Sequence, residues 1–574
     1  MNRKVIYTIA AVVGILTGLM MPATASASPA IIEVWPGQSI QNAVFAAAPG
    51  DTIIVHEGTY NETVHVHKPL TIKAAIGEDM PVVDGVTFAF HIHAGDVTVE
   101  GFEARSTWNH VIGIDPVTNV VISNNDVFGS AGHPAIVAFG SSNCVIIGNR
   151  VHDNYVGIGL FNADNNQVIG NKVLDSGYDG IWLVNADNNE VVGNNVSSTV
   201  ECGIFIPGSN NNLIEGNTVT GSGLEGIQLN FGSSDNEVIG NEVFNSGPDG
   251  WGIVMRENSN GNKFIGNTVS GIGLAGIQVW ESSDNAIRAN EVSYSFTGIG
   301  LNGALDNVVE GNEIHDCKAG AIFVGKSSGN LVQENEIYDT GGGIILAKSE
   351  GNHILGNEVS QIKRDGIVLD GSSENLIEEN ELSDCGRGVF LTNANGNHVL
   401  QNNVHATFAG ICLVESAKNV VAKNEVSDSS ENGIALEVSS GNVVEENEVT
   451  ASSHNGILLF EAHENEVLGN EVKESAFNGI AVQNGSTGNV VQKNEVSASD
   501  HNGIMLMNAH ENHVLKNEVK ESTYSGIIAE ESTDNLIKGN EVKDSGEFDL
   551  FDTSAPPPLD NIWENNVYST RNWQ

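Results

Sequence analysis

Residues 180–196 read GIWLVNADNNEVVGNNV, which is three short apolar segments separated by Asn and Gly. Each segment alternates apolar and other residues with a period of two, and all are too short and too β-branched for helices, so they predict β-strands. The unit Gly-Ile-x-Leu followed by two Asn-x-Val motifs returns along most of the chain. About twenty anchor asparagines align between Asn125 and Asn565, mostly 22 to 24 residues apart, and such a period predicts a solenoid of stacked coils.

A single coil of this kind cannot bury its own apolar side chains, so the coils must stack around a shared core. The predicted fold class is all-β, a right-handed parallel β-helix solenoid of about 20 coils with roughly 23 residues each. Ser39–Ala48 has the spacing of a helix with Ser39 as its N-cap, and we expect it to close the N-terminal end. Bulky residues predict a C-terminal cap: Trp563, Tyr568 and Trp573. We divide the mature chain into 28–110, the N-terminal cap with the first coils, and 111–574, the repeats with the C-terminal cap.

The first residues of the chain predict export. Arg3 and Lys4 precede an apolar run, Val5–Met21, and an Ala-x-Ala pattern ends at Ala27. This arrangement is typical of a signal peptide, here residues 1–27. The alternative is an uncleaved anchor, since the run is nearly long enough to span a membrane. No second run of this kind follows, so we expect no membrane span in the mature chain and a secreted, cell-surface or periplasmic location.

Composition excludes one class of partner. The 73 acidic and 25 basic residues give a formal net charge of −48, which excludes nucleic acid because phosphate backbones are bound by clusters of Lys and Arg. Such a charge suits cations, high salt or simple solubility. The five cysteines lack metal-binding spacing and are odd in number, so we expect them to be buried small hydrophobic residues.

The N-terminal region resembles a known superfamily. The resemblance lies in the segments Ser39–Ala43, Gly50–Val55, Gly58–Glu62 and Leu70–Ile72. They look like the opening of the pectate-lyase-like superfamily, and the later coils are similar to the repeats of carbohydrate-binding and sugar-hydrolase domains and of NosD-like periplasmic proteins. The resemblance covers nearly all of the mature chain and implies the fold, but that superfamily includes lyases, hydrolases, epimerases, adhesins and accessory proteins.

Two catalytic motifs of that superfamily are not intact in this sequence. The chain contains no Asp-Asp dipeptide of the polygalacturonase kind. The nearest match to the epimerase motif Tyr-Gly-x-Asp-Pro-His is Ile112–Val117, in which Ile112 replaces the Tyr and Val117 replaces the His. We therefore expect no epimerase activity there and interpret Asp115 as a turn residue.

The outward positions of the Gly-Ile-x-Leu strands predict a ligand groove. On such a strand, the residue after Ile and the one two positions later point away from the core. Indole, amide and guanidinium groups collect there between residues 178 and 302, and these suit the faces, hydroxyls and carboxylates of sugars. The predicted substrate-binding residues are Tyr178, Trp182, Gln228, Asn230, Trp251, Arg256, Gln278, Trp280 and Asn302.

Carboxylates in the turn before the same strands predict acid–base chemistry or Ca²⁺ binding. One coil separates neighbouring side chains by about 5 Å and two coils by about 10 Å. These values bracket the carboxylate spacings of retaining and inverting glycosidases. The alternative is that any acidic solenoid offers such pairs by chance. The candidate catalytic residues are Asp179, Glu201, Glu225 and Asp249.

Further along, the same face becomes apolar. Cys412 with Val414, Leu458 with Phe460, and Met505 with Met507 occupy the outward positions. This pattern predicts contact in the C-terminal half with another protein chain, a covering loop or a surface layer. The alternative is that the strand register differs by one residue there.

Two further sets of residues are candidates for cation sites. Glu follows the anchor asparagine in about a dozen coils, and the resulting column is either a solvated face or a site for bridging Ca²⁺, with Lys473, Lys520 and Lys543 near it. We expect the column to weaken the fold at low ionic strength. The histidines show no metal-site spacing, since His454 and His501 share a register two coils apart, so the metal stays unknown.

Two functions remain open. The first is a secreted or cell-surface protein that binds polysaccharide through the groove; if it is an enzyme, it is a polysaccharide lyase or a glycoside hydrolase. The second is a non-catalytic structural, adhesive or NosD-like accessory protein. The missing motifs favour the second, and the aromatic and amide residues of the groove favour the first for binding.

Overall fold

The computed structural model describes residues 28–554 and 560–573, and these form a parallel β-helix. Each coil contributes one strand to each of three parallel sheets, as in Ile181–Val184, Glu190–Val192 and Asn195–Ser197. The first sheet runs from Ile31–Val34 to Ile562–Glu564, the second from Thr59–Tyr60 to Glu541–Lys543, and the third from Val64–Val66 to Phe548–Asp552. The predicted fold class is confirmed.

The third sheet carries the candidate sites. Its strands pair in register from one coil to the next, so equivalent positions form columns along the axis. The strands that matter below are Val64–Val66, Phe90–Ile92, Ile112–Ile114, Pro134–Phe139, Val156–Phe161, Ile181–Val184, Ile204–Pro207, Ile227–Asn230, Ile253–Met255, Ala275–Trp280, Thr297–Asn302 and Gly320–Gly325.

The core is a continuous column of inward side chains. In the coil of residues 180–196, Ile181, Leu183, Val191 and Val196 are fully buried. The same positions in all coils form one cluster that extends from Val34 to Trp573. Stacking buries what one coil alone would expose, as the period-two pattern requires.

The anchor asparagines form a buried ladder inside the turns. In a typical step, Asn402 Nδ2 donates to Asn424 Oδ1 at 2.9 Å, and Asn402 Oδ1 accepts from the backbone N–H and the Nδ2 of Asn380 at 3.0 and 2.9 Å. The ladder ends at Asn566, which Asn540 contacts at 2.9 Å, rather than at the expected Asn565. A longer last step of 26 residues moves the register by one.

The number of coils is larger than the sequence indicated. The sheets contain 24, 22 and 22 strands. The asparagine anchors begin only at Asn125, whereas the strands of the solenoid begin at Ile31. The first coils lack the repeated motif, so the sequence did not indicate them. The boundary placed between residues 110 and 111 falls between paired strands, because Phe90–Ile92 pairs directly with Ile112–Ile114.

Both ends of the core are covered. The helix Ile40–Ala46 lies at the N-terminal end, and Ser39 caps it by accepting from the Asn42 N–H at 3.1 Å. Glu62 adds to this cap, accepting from the N–H groups of Ile40 and Gln41 at 2.7 and 3.1 Å. At the other end, Trp563, Tyr568 and Trp573 pack against the core.

Two other expectations concern the cysteines and the membrane. All five cysteines are free and buried, as predicted. The predicted signal peptide lies outside the described residues. Among the residues that are described, no helix is both long and apolar enough to cross a membrane.

Candidate functional site

The outward face of the third sheet has the predicted register. Trp182 pairs with Phe205, Phe205 with Gln228, and Gln228 with Val254. Trp280 pairs with Asn302 in a second column, two residues further along the strand. The face therefore presents two parallel columns of outward side chains.

Four aromatic rings line an open cavity on this face, which we call the aromatic cavity. They are Phe161, Trp182, Phe205 and Phe231, with Pro207 between them. The cavity has a volume of about 450 Å³. Phe161 and Trp182 meet edge to face, with ring centroids 5.8 Å apart. Sequence reasoning selected Trp182 but missed two of the rings: Phe161 ends the strand Val156–Phe161, and Phe231 lies in the turn after the strand Ile227–Asn230.

Beneath the aromatic cavity lies a buried acidic network. Asp179, Cys202 and Glu225 occupy one column in successive coils. Asp179 accepts from the backbone N–H of Cys202 at 2.5 Å and from the indole N–H of Trp182. The Cys202 thiol lies 3.3 Å from Glu225 Oε2, and Arg256 forms an ion pair with Glu225 Oε1 at 3.1 Å.

The two carboxylates differ in their electrostatic environment. Asp179 is only 1% exposed, and this burial raises its pKa to about 6 although both N–H groups favour the ionised form. Glu225 is buried as well but has the Arg256 guanidinium as a partner, and Arg256 in turn lies 4.6 Å above the Trp251 ring. The network thus joins two predicted carboxylates to three predicted binding residues.

The remaining candidates are placed differently. Gln228, Asn230 and Gln278 are buried and bonded internally; the Gln278 amide, for example, donates to the carbonyl oxygen of Gly300 at 3.1 Å. Glu201 lies beside Tyr178 in the adjacent column, where its N–H donates to the Tyr178 carbonyl at 3.0 Å. Asp249 is exposed, because the extra residues of its coil form a loop. The structure therefore does not bring Asp249 into the network.

A second cavity lies further along the same face, and we call it the tryptophan–lysine cavity. Trp280, Asn302, Phe323, Lys326 and Lys348 line its volume of about 470 Å³. The Trp280 ring is partly exposed, at 38%. Glu281 lines it as well, and sequence reasoning selected neither of the two lysines.

The C-terminal half of the face is apolar, as the sequence indicated. Cys412, Leu458 and Met505 occupy one outward column and form a hydrophobic cluster separate from the main core. The register is the predicted one, so the alternative of a one-residue shift is wrong. All three side chains are mostly buried by their neighbours. A protein contact at this cluster stays a prediction.

The glutamate column lies on the second sheet. Glu336, Glu358 and Glu381 are exposed and directly paired in consecutive coils. Lys473 lies between two members of the column, 3.2 Å from Glu448 and 2.5 Å from Glu471. Lysine therefore supplies local screening where it occurs. Ca²⁺ at this column stays a hypothesis.

A histidine cluster that the sequence analysis missed lies in the first coils. His65 and His91 are paired across the third sheet, and His67 and His93 follow two positions later on the same two coils, in the adjacent column. His65 Nδ1 lies 3.1 Å from His93 Nε2. The sequence does contain a sign of this cluster, since the motif His-x-His occurs twice, one coil apart. It was missed because the asparagine anchors, which set the register, begin only later in the chain.

Asp115 is a partner of these histidines and not simply a turn residue. It accepts from His91 Nε2 at 2.9 Å and from His93 Nδ1. Burial opposes ionisation of this carboxyl, but the two histidine bonds outweigh burial and lower its pKa. Burial also lowers the pKa of His65 and of His91. Two overlapping sets could hold a metal ion: His65 with His67 and His93, and His91 with His93 and Asp115.

Two protein-family models match the sequence. A family model described as "Periplasmic copper-binding protein (NosD)" matches residues 269–419, 338–478 and 410–572, which overlap and together cover more than half of the chain. The chain belongs to the NosD family. A model of the right handed beta helix region matches residues 88–243 of this NosD-family protein. Both histidine sets lie before the segment that the NosD model matches.

The chain is similar to several solved structures, at low identity and low TM-score. DFA-IIIase from Arthrobacter chlorophenolicus, without its lid and in complex with GF2, is 14% identical with a TM-score of 0.36, covering 57% of this chain and 95% of that one. A mutant of the periplasmic alginate epimerase AlgG is 14% identical with a TM-score of 0.33, covering 55% and 76%. The Dettilon tailspike protein is 13% identical with a TM-score of 0.29, covering 62% and 68%. No curated protein matches the sequence.

Proposed function

We propose that this protein binds a polysaccharide along the outward face of the third sheet, outside the cytoplasm. The observation that carries the proposal is the aromatic cavity, in which Trp182 and Phe205 present flat apolar surfaces beside a polar network. Pyranose rings have apolar faces and polar edges, so a binding site for them needs this combination. The leader-like residues 1–27 and the periplasmic description of the family support the location.

The tryptophan–lysine cavity extends the proposed binding surface. Trp280 lies four coils from Trp182, or roughly 19 Å at one strand spacing per coil. Lys326 and Lys348 could pair with carboxylate or sulfate groups. The proposed ligand is therefore a chain that crosses several coils, with acidic sugars at the lysine end.

The proposal is binding rather than cleavage. A glycosidase needs two carboxyl groups that reach the scissile bond. Asp179 and Glu225 are instead buried, two coils apart, and both form hydrogen bonds or ion pairs within the protein. Asp179, with its raised pKa, is the group that would act as an acid if a bound sugar displaced its Trp182 contact.

Binding to a panel of neutral and acidic polysaccharides tests the proposal, measured by isothermal titration with the full chain. Phe205→Ala should weaken binding at least tenfold, because it removes one stacking surface without breaking a hydrogen bond. Phe477→Ala is the matched control: this ring stacks between His454 and His501 far from both cavities, and its loss should leave the affinity unchanged.

Lys326→Ala and Lys348→Ala separate the two cavities. They should weaken binding of acidic chains and leave that of neutral chains unchanged. Release of reducing ends and absorbance of unsaturated products are followed in the same samples to detect hydrolase or lyase activity. If no polysaccharide binds, or if Phe205→Ala and Phe477→Ala behave alike, the accessory or adhesive function is favoured instead.

A further inference from the structure

The geometry points to a binding site for one divalent first-row transition metal ion, formed by His65, His67 and His93, with Asp115 holding His93 in place. One nitrogen of each of the three rings lies within 4.8 Å of the others. His65 Nδ1 and His93 Nε2, at 3.1 Å, are spaced almost as two ligands of one tetrahedral ion. Metal–nitrogen bonds of about 2.0 Å place such ligands about 3.3 Å apart.

Asp115 gives His93 the orientation that a ligand needs. Metal-binding histidines almost always donate their second ring nitrogen to a carboxylate, carbonyl or water. His93 donates through Nδ1 to Asp115, which leaves the lone pair on Nε2 directed at His65. Asp115 also accepts from His91 at 2.9 Å, so the carboxylate is held on two sides.

The backbone around the site is already in place. His65 follows Val64 in one strand of the third sheet, His91 is its partner in the next, and the Ile92 to Ile114 pairing places Asp115 beside His93. The backbone N–H of His65 is further fixed by Gln41 Oε1 at 2.6 Å. A rigid sheet carrying the ligands lowers the cost of assembling the site.

The ligand set selects the class of metal. Three imidazoles without a nearby thiolate suit Cu²⁺, Zn²⁺ or Ni²⁺, whereas Ca²⁺ and Mg²⁺ require oxygen ligands. Copper is the metal in the family's description, yet this site lies outside residues 269–572 that the family model matches. Within the described part of that segment, no group of three His, Cys, Asp or Glu is close enough to hold an ion. The proposed site therefore lies in the first coils, apart from the segment that the family model matches.

Metal titration of the full chain, produced without a histidine tag and stripped with EDTA, tests the site. Isothermal titration with Cu²⁺ and separately with Zn²⁺ should show one tight site per chain. The Cu²⁺ spectrum by electron paramagnetic resonance should show couplings to nitrogen. His93→Gln should weaken this site at least 100-fold, and His67→Gln, a change at an exposed side chain that leaves the core intact, should weaken it at least tenfold.

Two further variants sharpen the result. Asp115→Asn should weaken the metal 10- to 100-fold and alter the Cu²⁺ spectrum, as expected for a positioning residue, and Asp115→Glu should restore part of the affinity. His454→Gln is the control, because its ring stacks on Phe477 far from the cluster. The inference is overturned if the wild type binds neither ion, or if binding to the His93→Gln and His67→Gln variants equals that to His454→Gln.

Discussion

At the residue scale, the asparagine ladder allows a test with neighbouring residues. Asn402 donates to the Ile377 carbonyl and to Asn424 while accepting from Asn380, whereas Asn403, the next residue, is exposed. Asn402→Ala would leave several buried polar groups without partners and should lower the free energy of unfolding by about 2–4 kcal/mol. Asn403→Ala should change it by less than about 0.5 kcal/mol. Urea unfolding followed by circular dichroism measures both; equal effects would contradict a structural role for the ladder.

Asp179 predicts a pH dependence of stability. Burial raises its pKa to about 6 in the folded state, while the unfolded chain loses this proton near pH 3.8. Between these values the unfolded state binds fewer protons, so stability falls as the pH rises. The loss amounts to about 2 kcal/mol between pH 4 and pH 7.

Asp179→Asn, which cannot titrate, isolates this effect from the other acidic groups. The free energy of unfolding of the wild type should fall, relative to that of this variant, as the pH rises from 4 to 7. The difference between their urea midpoints measures this change. Parallel curves for the two proteins would show that Asp179 does not titrate in this range.

Individual site residues were predictable only where the repeat sets the register. The columns of Trp182, Phe205 and Gln228 follow from the alternation along Gly-Ile-x-Leu. Asp249 was misjudged because its coil is longer than its neighbours, and a loop takes up the additional residues. The histidine cluster was missed because His65 and His91 lie in coils without asparagine anchors.

At the scale of the strand, the glycine of Gly-Ile-x-Leu is required by space. A Cβ on Gly456 would lie 2.2 Å from Val472 Cγ1 and 2.7 Å from the carbonyl oxygen of Gly479 in the next coil. Gly456→Ala should therefore lower the free energy of unfolding by about 1–3 kcal/mol. Gly132→Ala is the control, since a Cβ there meets no atom within 4 Å, and it should be nearly neutral. Thermal unfolding compares them; an unchanged midpoint for Gly456→Ala would refute the close contact.

The elements themselves were largely predictable from local chemistry. Ser39 was expected to cap a helix, and it does so, although the helix ends at Ala46 rather than Ala48. The second half of that cap, Glu62, could not be predicted, because it comes from a strand-to-strand turn 23 residues later. Contacts between coils follow from the sequence only when both partners belong to the repeated unit.

At the scale of the whole molecule, the sites are exceptions to the repeat. With 22 strands in each of two sheets, the rod is roughly 105 Å long. Repetition determines the core along the rod and, from Asn125 onward, the asparagine ladders. The aromatic cavity, the tryptophan–lysine cavity and the histidine cluster lie where a few coils depart from the consensus. A periodic sequence therefore reveals the scaffold more readily than the places where it binds.

The net charge of −48 predicts that salt stabilises the whole rod. Glu336, Glu358 and Glu381 face one another at roughly one strand spacing without a lysine bridge, so they repel at low ionic strength. Glu358→Gln should raise the thermal midpoint in 10 mM salt and have no effect in 1 M salt, where charges are screened within about 3 Å. Glu471→Gln, which removes a partner of Lys473, should instead lower the midpoint in 10 mM salt. Differential scanning calorimetry at both salt concentrations measures the thermal midpoints of the two variants. Shifts of the same sign for Glu358→Gln and Glu471→Gln in 10 mM salt would mean that repulsion along the column does not limit the stability of the rod.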